Sequence, residues 1–143
     1  MKSVKLAKAW VQFCDSALLE CSMRSGGKFC IVWGATGQAK VLCDILISES
    51  TQVLRFFDND TNVESFIPGV PVLHGIDGLR QFVSELNHRG LQATDIDCVA
   101  AIGSANGRDR EKVTAAMESF GFVPRSVVHH SAIISTTARV GRA

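Results

Sequence analysis

The chain has 143 residues, 46% of them hydrophobic, and a formal net charge of +1 from 15 Lys+Arg against 14 Asp+Glu. That length fits one domain with its own core. The apolar content excludes a disordered chain, and the near-balanced charge without a basic block argues against a nucleic-acid-binding protein. Five cysteines (Cys14, Cys21, Cys30, Cys43, Cys98) form no CxxC pair and have no histidine at zinc-ligand spacing, so neither a metal site nor a disulfide framework is expected and the setting reads as reducing and cytoplasmic. No run of 18 apolar residues marks a membrane span, and Gln12, Asp15 and Glu20 interrupt any signal-peptide core.

Residues 3–23 read as one amphipathic helix, with Leu6, Trp10, Phe13, Ala17 and Cys21 recurring every three or four positions. Its apolar face fits packing on the domain or on a second subunit, or contact with a membrane surface. Ser25-Gly26-Gly27 then makes a joint, so this helix is an appendage to the domain that begins at Lys28.

Phe29 to Trp33 is a short apolar run that ends on Gly34-Ala35-Thr36-Gly37 and opens into a helix patterned by Val41, Leu42, Ile45 and Leu46, reaching about Glu49. This predicts a buried strand, a tight turn and a helix whose first amides face back across the turn. The pattern G-x-x-G-x-A is one glycine short of the dinucleotide fingerprint. It suits a phosphate or nucleotide site, or a turn whose glycines only let strand meet helix.

Val53 to Phe57 predicts a second strand, ending in the polar turn Asp58-Asn59-Asp60. In doubly wound sheets ligands are met at the strands' carboxyl ends, and Asp58 stands 24 residues after Gly34, near the spacing of a ribose-binding acid. Asp and Asn are equally ordinary turn formers. A short strand is expected near Val70–Leu73, then a helix capped by Asp77, carrying Leu79, Phe82, Val83 and Leu86 and stopping near Asn87–Gly90. His74 and His88 read as turn or surface histidines.

Asp97 to Ile102 is a continuous apolar strand followed by Gly103-Ser104-Ala105-Asn106-Gly107-Arg108. Small residues there leave room for a ligand over the strand end. Asn106 offers a donor and an acceptor or caps the next helix, and Arg108 or Arg110 suits a phosphate. That helix carries Val113, Ala116, Met117 and Phe120 and stops at Gly121; a last strand comes around Pro124, within Val123–Val128. In the tail, Ala132 and Ala138, like Ile134 and Val140, are six apart, the period of a left-handed parallel β-helix. His129 and His130 are not expected to catalyse, because neighbours on a strand face opposite ways and no Ser, Asp or Cys is spaced to serve them.

The glycine turn, the Asp58-Asn59-Asp60 turn, Ala101 to Arg108, and Val128-His129-His130-Ser131-Ala132-Ile133-Ile134-Ser135 together resemble, in order and spacing, the bacterial sugar O- and N-acyltransferases, the group of sialic acid O-acetyltransferases and UDP-4-amino-sugar acetyltransferases. The resemblance covers residues 28–143. It implies an α/β fold: a small Rossmann-like parallel sheet with helices on both faces over 28–130, an amino-terminal helical extension over 1–27, and the first turn of a left-handed β-helix over 131–143. It implies a binding site for a UDP-sugar or other nucleotide sugar at Gly34, Ala35, Thr36, Gly37, Gln38, Asp58, Asn59, Asp60, Gly103, Ser104, Asn106 and Arg108. In the family, the β-helix binds acetyl-CoA between subunits of a trimer and carries the catalytic histidine. The resemblance therefore leads to the expectation of a binding domain not competent for acetyl transfer alone, with no catalytic residue, no cofactor of its own, and a trimer only through further β-helix. A non-enzymatic interaction module and an NAD-binding module are the alternatives. Two residues depart from the family pattern: Gln38 where His is usual, and His130 where Pro is usual.

Overall fold

The computed structural model describes residues 23, 25–103 and 107–141. The helix expected over 3–23 therefore lies, but for Met23, outside the described residues. Among the described residues from Lys28 on, five strands and three α-helices are arranged in the order β1 (Lys28–Trp33), α1 (Gly37–Ser48), β2 (Thr51–Asp58), β3 (Val72–His74), α2 (Gly75–His88), β4 (Asp97–Ala100), α3 (Gly107–Ser119) and β5 (Val123–Pro124), with a 3-10 turn at Ala93–Asp95. All pairings are parallel, and the sheet order is β3-β2-β1-β4-β5. A parallel sheet has both faces covered, which is why β1 is apolar almost from end to end rather than alternating.

Each face has its own core. Phe29, Ile31 and Trp33 of β1 point to one side, where they meet Leu79, Phe82 and Leu86 of α2 and Met117 of α3. Cys30 and Val32 point to the other, against Ala39, Cys43 and Leu46 of α1. Fully buried Phe56, Phe57, Phe82 and Phe122 are among the largest core side chains. Each contributes about 1.5–3 kcal/mol relative to exposure, more than any surface contact here.

Strand β2 does not keep strict alternation. Val53 and Phe56 lie in the α1-side core while Leu54 and Phe57 lie in the other, so two positions three apart share a face. The register against β1 slips at this point, from Cys30 opposite Val53 to Ile31 opposite Arg55. The extra residue is a β-bulge. It brings Arg55 onto the α2 side, 5.1 Å above the Phe82 ring and 3.7 Å from Glu85.

Several boundaries differ from the sequence pattern. Helix α2 starts three residues earlier than expected, with His74 instead of Asp77 at its N-cap; Asp77 lies in the first turn and pairs with Arg80 at 2.7 Å. Strand β4 stops at Ala100 and β5 has only two residues. The expected first turn of a β-helix is not formed: no strand occurs among residues 125–141. The six-residue period survives as two turns, closed by Ala132 N–H to His129 O (2.9 Å) and Ala138 N–H to Ser135 O (3.0 Å). Ile133 is fully exposed and Val140 largely so, because a β-helix coil is held by neighbouring coils and a single one has none.

Two measurements test this packing. A Cβ on Gly78 would lie 2.8 Å from the Leu73 Cβ and 3.0 Å from its carbonyl carbon, so α2 sits directly on β3. Alanine is favoured over glycine in a helix by about 1 kcal/mol, but overpacking costs about 1–3 kcal/mol, so G78A should lower the urea midpoint. The thiols of Cys43 and Cys98 are pushed up from 9.0 to about 12, by burial first, with Asp44 adding to it at Cys43 and Asp97 and Glu118 at Cys98. Their folded values exceed the unfolded one, so this stabilisation is complete below about pH 9 and lost as pH rises towards 12. Urea stability should fall across that window, and C43A should flatten the fall.

Candidate functional site

The sheet order reverses at β1: the chain moves from β1 outward through β2 and β3, then returns to add β4 and β5 on the other side. At such a switch point the loops after neighbouring strands turn apart and leave a crevice at the carboxyl edge. Here the crevice has a volume of about 270 Å³. Trp33, Gly34 and Thr36 line it from the turn after β1, Asp58 and Asn59 from the end of β2, and Ala101, Ile102 and Gly103 from the end of β4.

Gly34 sets the floor. Its N–H donates to the Phe57 carbonyl at 2.7 Å, and the Trp33 carbonyl accepts the Ala101 N–H at 2.7 Å. Its φ is +104°, and a Cβ there would stand 2.7 Å from the Ala101 carbonyl oxygen. Only glycine fits this backbone and this contact. Gly37 differs: its φ is not left-handed and nothing lies within 4 Å of where its Cβ would be. The fold has no steric need for glycine there, at the first residue of α1.

The turn leads into α1 with Thr36 as N-cap, whose side chain makes no capping hydrogen bond. The first intrahelical bond runs from Lys40 N–H to Thr36 O, so the N–H groups of Gly37, Gln38 and Ala39 have no helical carbonyl to reach. On the β2 side, Asp58 Oδ2 accepts the buried Ala35 N–H and Oδ1 accepts the Asp60 N–H, each at 3.0 Å. Asp60 in turn accepts from the backbone and then the side-chain amide of Asn62, which hold its carboxyl below the usual value, with a smaller pull from His74. Asn59 Oδ1 lies 3.7 Å from the Cβ position of Gly75, over the start of α2. On the β4 side, Arg110 Nη1 donates to the Ile102 carbonyl at 3.2 Å.

Of the residues expected in the site, Gly34, Thr36, Asp58, Asn59 and Gly103 line the crevice. Ala35 lies beneath it as a donor to Asp58. Gln38 stands at the rim, its Oε1 3.6 Å from the Cβ position of Gly103, so it bridges toward the β4 loop. Gly37, Asp60 and Arg108 stand outside the lining, and Ser104 and Asn106 lie outside the described residues. Trp33, Ala101 and Ile102 were not anticipated. They are apolar strand-end residues that contribute shape rather than chemistry, and a pattern search for polar groups passes over them.

The histidine pair requires a correction. His129 and His130 are not in a strand and do not face opposite ways: their ring centroids are 4.2 Å apart, and Ser131 Oγ lies 2.6 Å from His129 Nδ1. A tight turn, closed between His129 and Ala132, brings the serine round to the ring. Among the described residues no helix is long and apolar enough to cross a membrane, and no three His, Cys, Asp or Glu side chains gather to hold a metal ion.

No protein-family model matches this chain, and no curated protein does. Solved structures do. A histidine-to-asparagine mutant of perosamine N-acetyltransferase from Caulobacter crescentus, in complex with CoA and GDP-perosamine, is 26% identical, with a TM-score of 0.59. PerB from Caulobacter crescentus, in complex with the same two molecules, is 27% identical, with a TM-score of 0.57. Each match covers 79% of this chain and 48% of that structure, so the chain spans about half the length of these relatives. The acetyltransferase domain of PglB from Neisseria gonorrhoeae FA1090, in complex with acetyl coenzyme A, shares the fold at 22% identity and a TM-score of 0.56, over 81% of this chain.

These findings overturn three expectations. The proteins matched over most of this chain are acetyltransferases in complex with CoA and a nucleotide sugar. The reading of a binding domain unfit for acetyl transfer is therefore withdrawn, together with its interaction-module and NAD-binding alternatives. So are the absence of a catalytic part and the absence of a cofactor. The likeness links the chain to the bacterial sugar N-acetyltransferases.

Proposed function

We propose that this protein serves CoA-dependent N-acetylation of a nucleotide-linked amino sugar, and that the crevice after β1, β2 and β4 holds the nucleotide-sugar acceptor. The observation that carries this is the coincidence of an open crevice at the switch point with likeness, above 25% identity, to acetyltransferases in complex with CoA and GDP-perosamine. Acetyl-CoA, when bound, supplies the thioester carbonyl that the sugar amine attacks. The chain's own residues bind and orient the acceptor. The amides of Gly37 to Ala39 and the α1 dipole favour its phosphates. Asn59 offers both a donor and an acceptor, Asp60 accepts, and Gly103 stands on the far wall; Ser104 and Asn106 are candidates from the sequence motif alone. Arg108, exposed on the first turn of α3, supplies positive charge on the same edge. Gln38, beside Gly103, narrows the mouth where a ligand's sugar end would leave.

Residues 28–130 form the binding unit in this reading. The two turns six residues apart, at 129–132 and 135–138, keep the period of a left-handed β-helix without its strands, which supports reading the segment from 131 as leading into one; a trimer would form only through further β-helix.

Calorimetric titration with GDP, UDP and CoA, and thiol release from acetyl-CoA in the presence of a GDP- or UDP-linked amino sugar, test the proposal. Nucleotide binding and amine-dependent thiol release are expected; binding of none of the three ligands overturns it. The two glycines separate stability from binding. G34A should destabilise by about 1–3 kcal/mol or fail to fold, since it adds a clash to a left-handed φ. G37A should leave stability equal or up to about 1 kcal/mol higher, because nothing in the fold lies within 4 Å of its Cβ position, while weakening nucleotide binding if a phosphate sits against the first amides of α1 as proposed.

A further inference from the structure

Asp58 stands between the two loops on one side of the crevice, and each carboxylate oxygen is engaged by one of them. Oδ2 accepts the Ala35 N–H from the glycine turn, 23 residues earlier in the chain, and Oδ1 accepts the Asp60 N–H from its own loop. The glycine turn has few other restraints from this side. Thr36 makes no side-chain cap, Gly37 touches nothing at its Cβ position, and Gly34 N–H to Phe57 O is the bond next to it. A carboxylate with two amide donors makes charge-assisted hydrogen bonds, roughly twice as strong as neutral ones.

We propose that Asp58 is a positioning residue for this site. It locks the glycine turn to the Asn59–Asp60 loop, so that the first amides of α1 and the Asn59 side chain face one ligand at a fixed separation. Its action on the ligand runs through these loops, not through a hydrogen bond to a ribose hydroxyl. The Ala35 amide, already engaged, is not available to a phosphate, which leaves the amides of Gly37 to Ala39 as the anion-facing set. Asparagine cannot take over this role. In D58N one oxygen still accepts an amide, while the new side-chain NH2 confronts the other amide donor to donor.

The lock concerns Asp58 itself; its consequence for binding rests on the nucleotide-sugar reading above, and the two are tested by separate measurements on the full chain. The first tracks amide hydrogen exchange by NMR in wild type, D58N and D58A, without ligand. Ala35 and Asp60 amides should exchange about tenfold faster or more in D58N, as loss of a charged-group hydrogen bond implies, while Val32 and Val99 in the core strands change little. Unchanged exchange at Ala35 and Asp60 overturns the proposal. So does an equal acceleration at all sites, which would mean Asp58 only supports global stability.

The second measurement titrates wild type and D58N with GDP, UDP and their 2′- and 3′-deoxyribose counterparts. D58N should bind both ribonucleotides more weakly, and each deoxy substitution should cost the same factor in variant as in wild type, since separate contributions add. A deoxy penalty that vanishes in D58N would instead make Asp58 a direct ribose ligand and overturn the proposal. A wild-type chain that binds neither nucleotide would overturn the functional reading, and the exchange data alone would then decide the role of Asp58.

Discussion

Three strand ends are drawn together at Gly34, and the site is built on that junction. The glycine N–H reaches the Phe57 carbonyl of β2, and the carbonyl just before it takes the Ala101 N–H at the end of β4. With a Cβ position 2.7 Å from the Ala101 carbonyl, the backbone passes as close as two chains can. Because β1 is the central strand, this one contact sets how far the β2 and β4 loops stand from each other. It therefore sets the width of the crevice.

The opposite edge of the sheet is closed by charge rather than by close approach. Arg125, just after β5, donates to Thr51 at the start of β2 and to Asp97 at the start of β4, and pairs with Glu49 just beyond α1. Its backbone N–H also bonds to the Cys98 carbonyl. The partners are partly exposed, and such pairs usually contribute under about 1 kcal/mol each, so the two aromatic-rich cores remain the main source of stability. The arginine instead gathers the amino ends of the strands, leaving the carboxyl ends as the open, polar side. The β2 bulge serves the same division, since it keeps both Phe56 and Phe57 buried, on opposite faces, just before the strand delivers Asp58 to the crevice.

A binding crevice and a likeness to acetyltransferases answer different questions. The crevice combines turn backbone, the Asp58-Asn59 strand end and the apolar Trp33, Ala101 and Ile102, and its polar groups suit recognition of phosphates and hydroxyls. Acyl transfer needs in addition a thioester and a base, and the link to those comes from the solved sugar N-acetyltransferases in complex with CoA. Among the described residues, the crevice lining holds no histidine, cysteine or lysine. What a domain serves is not contained in its pocket alone.

The parallel sheet, its helices and the two turns that line the crevice were legible in the sequence. Strongly periodic apolar runs and glycine-marked turns are local signals, and β1, α1, β2, α2, β4 and α3 all carry them. Local signals misled in three places: Asp77 pairs with Arg80 one turn along its own helix, β4 ends two residues early so that Ala101 and Ile102 line the crevice, and residues 131–141 form turns with no neighbouring coil to pair with. The sequence alone determined which residues prefer strand, helix or turn, and that Gly34 and Asp58 belong to the same edge. Only the tertiary structure decided what they do there. Gly34 is required by the Ala101 carbonyl and Gly37 by nothing in the fold, while both oxygens of Asp58 are held by amides that lie in different loops. Such distinctions depend on distances between segments far apart in the chain, and no pattern of neighbouring residues encodes them.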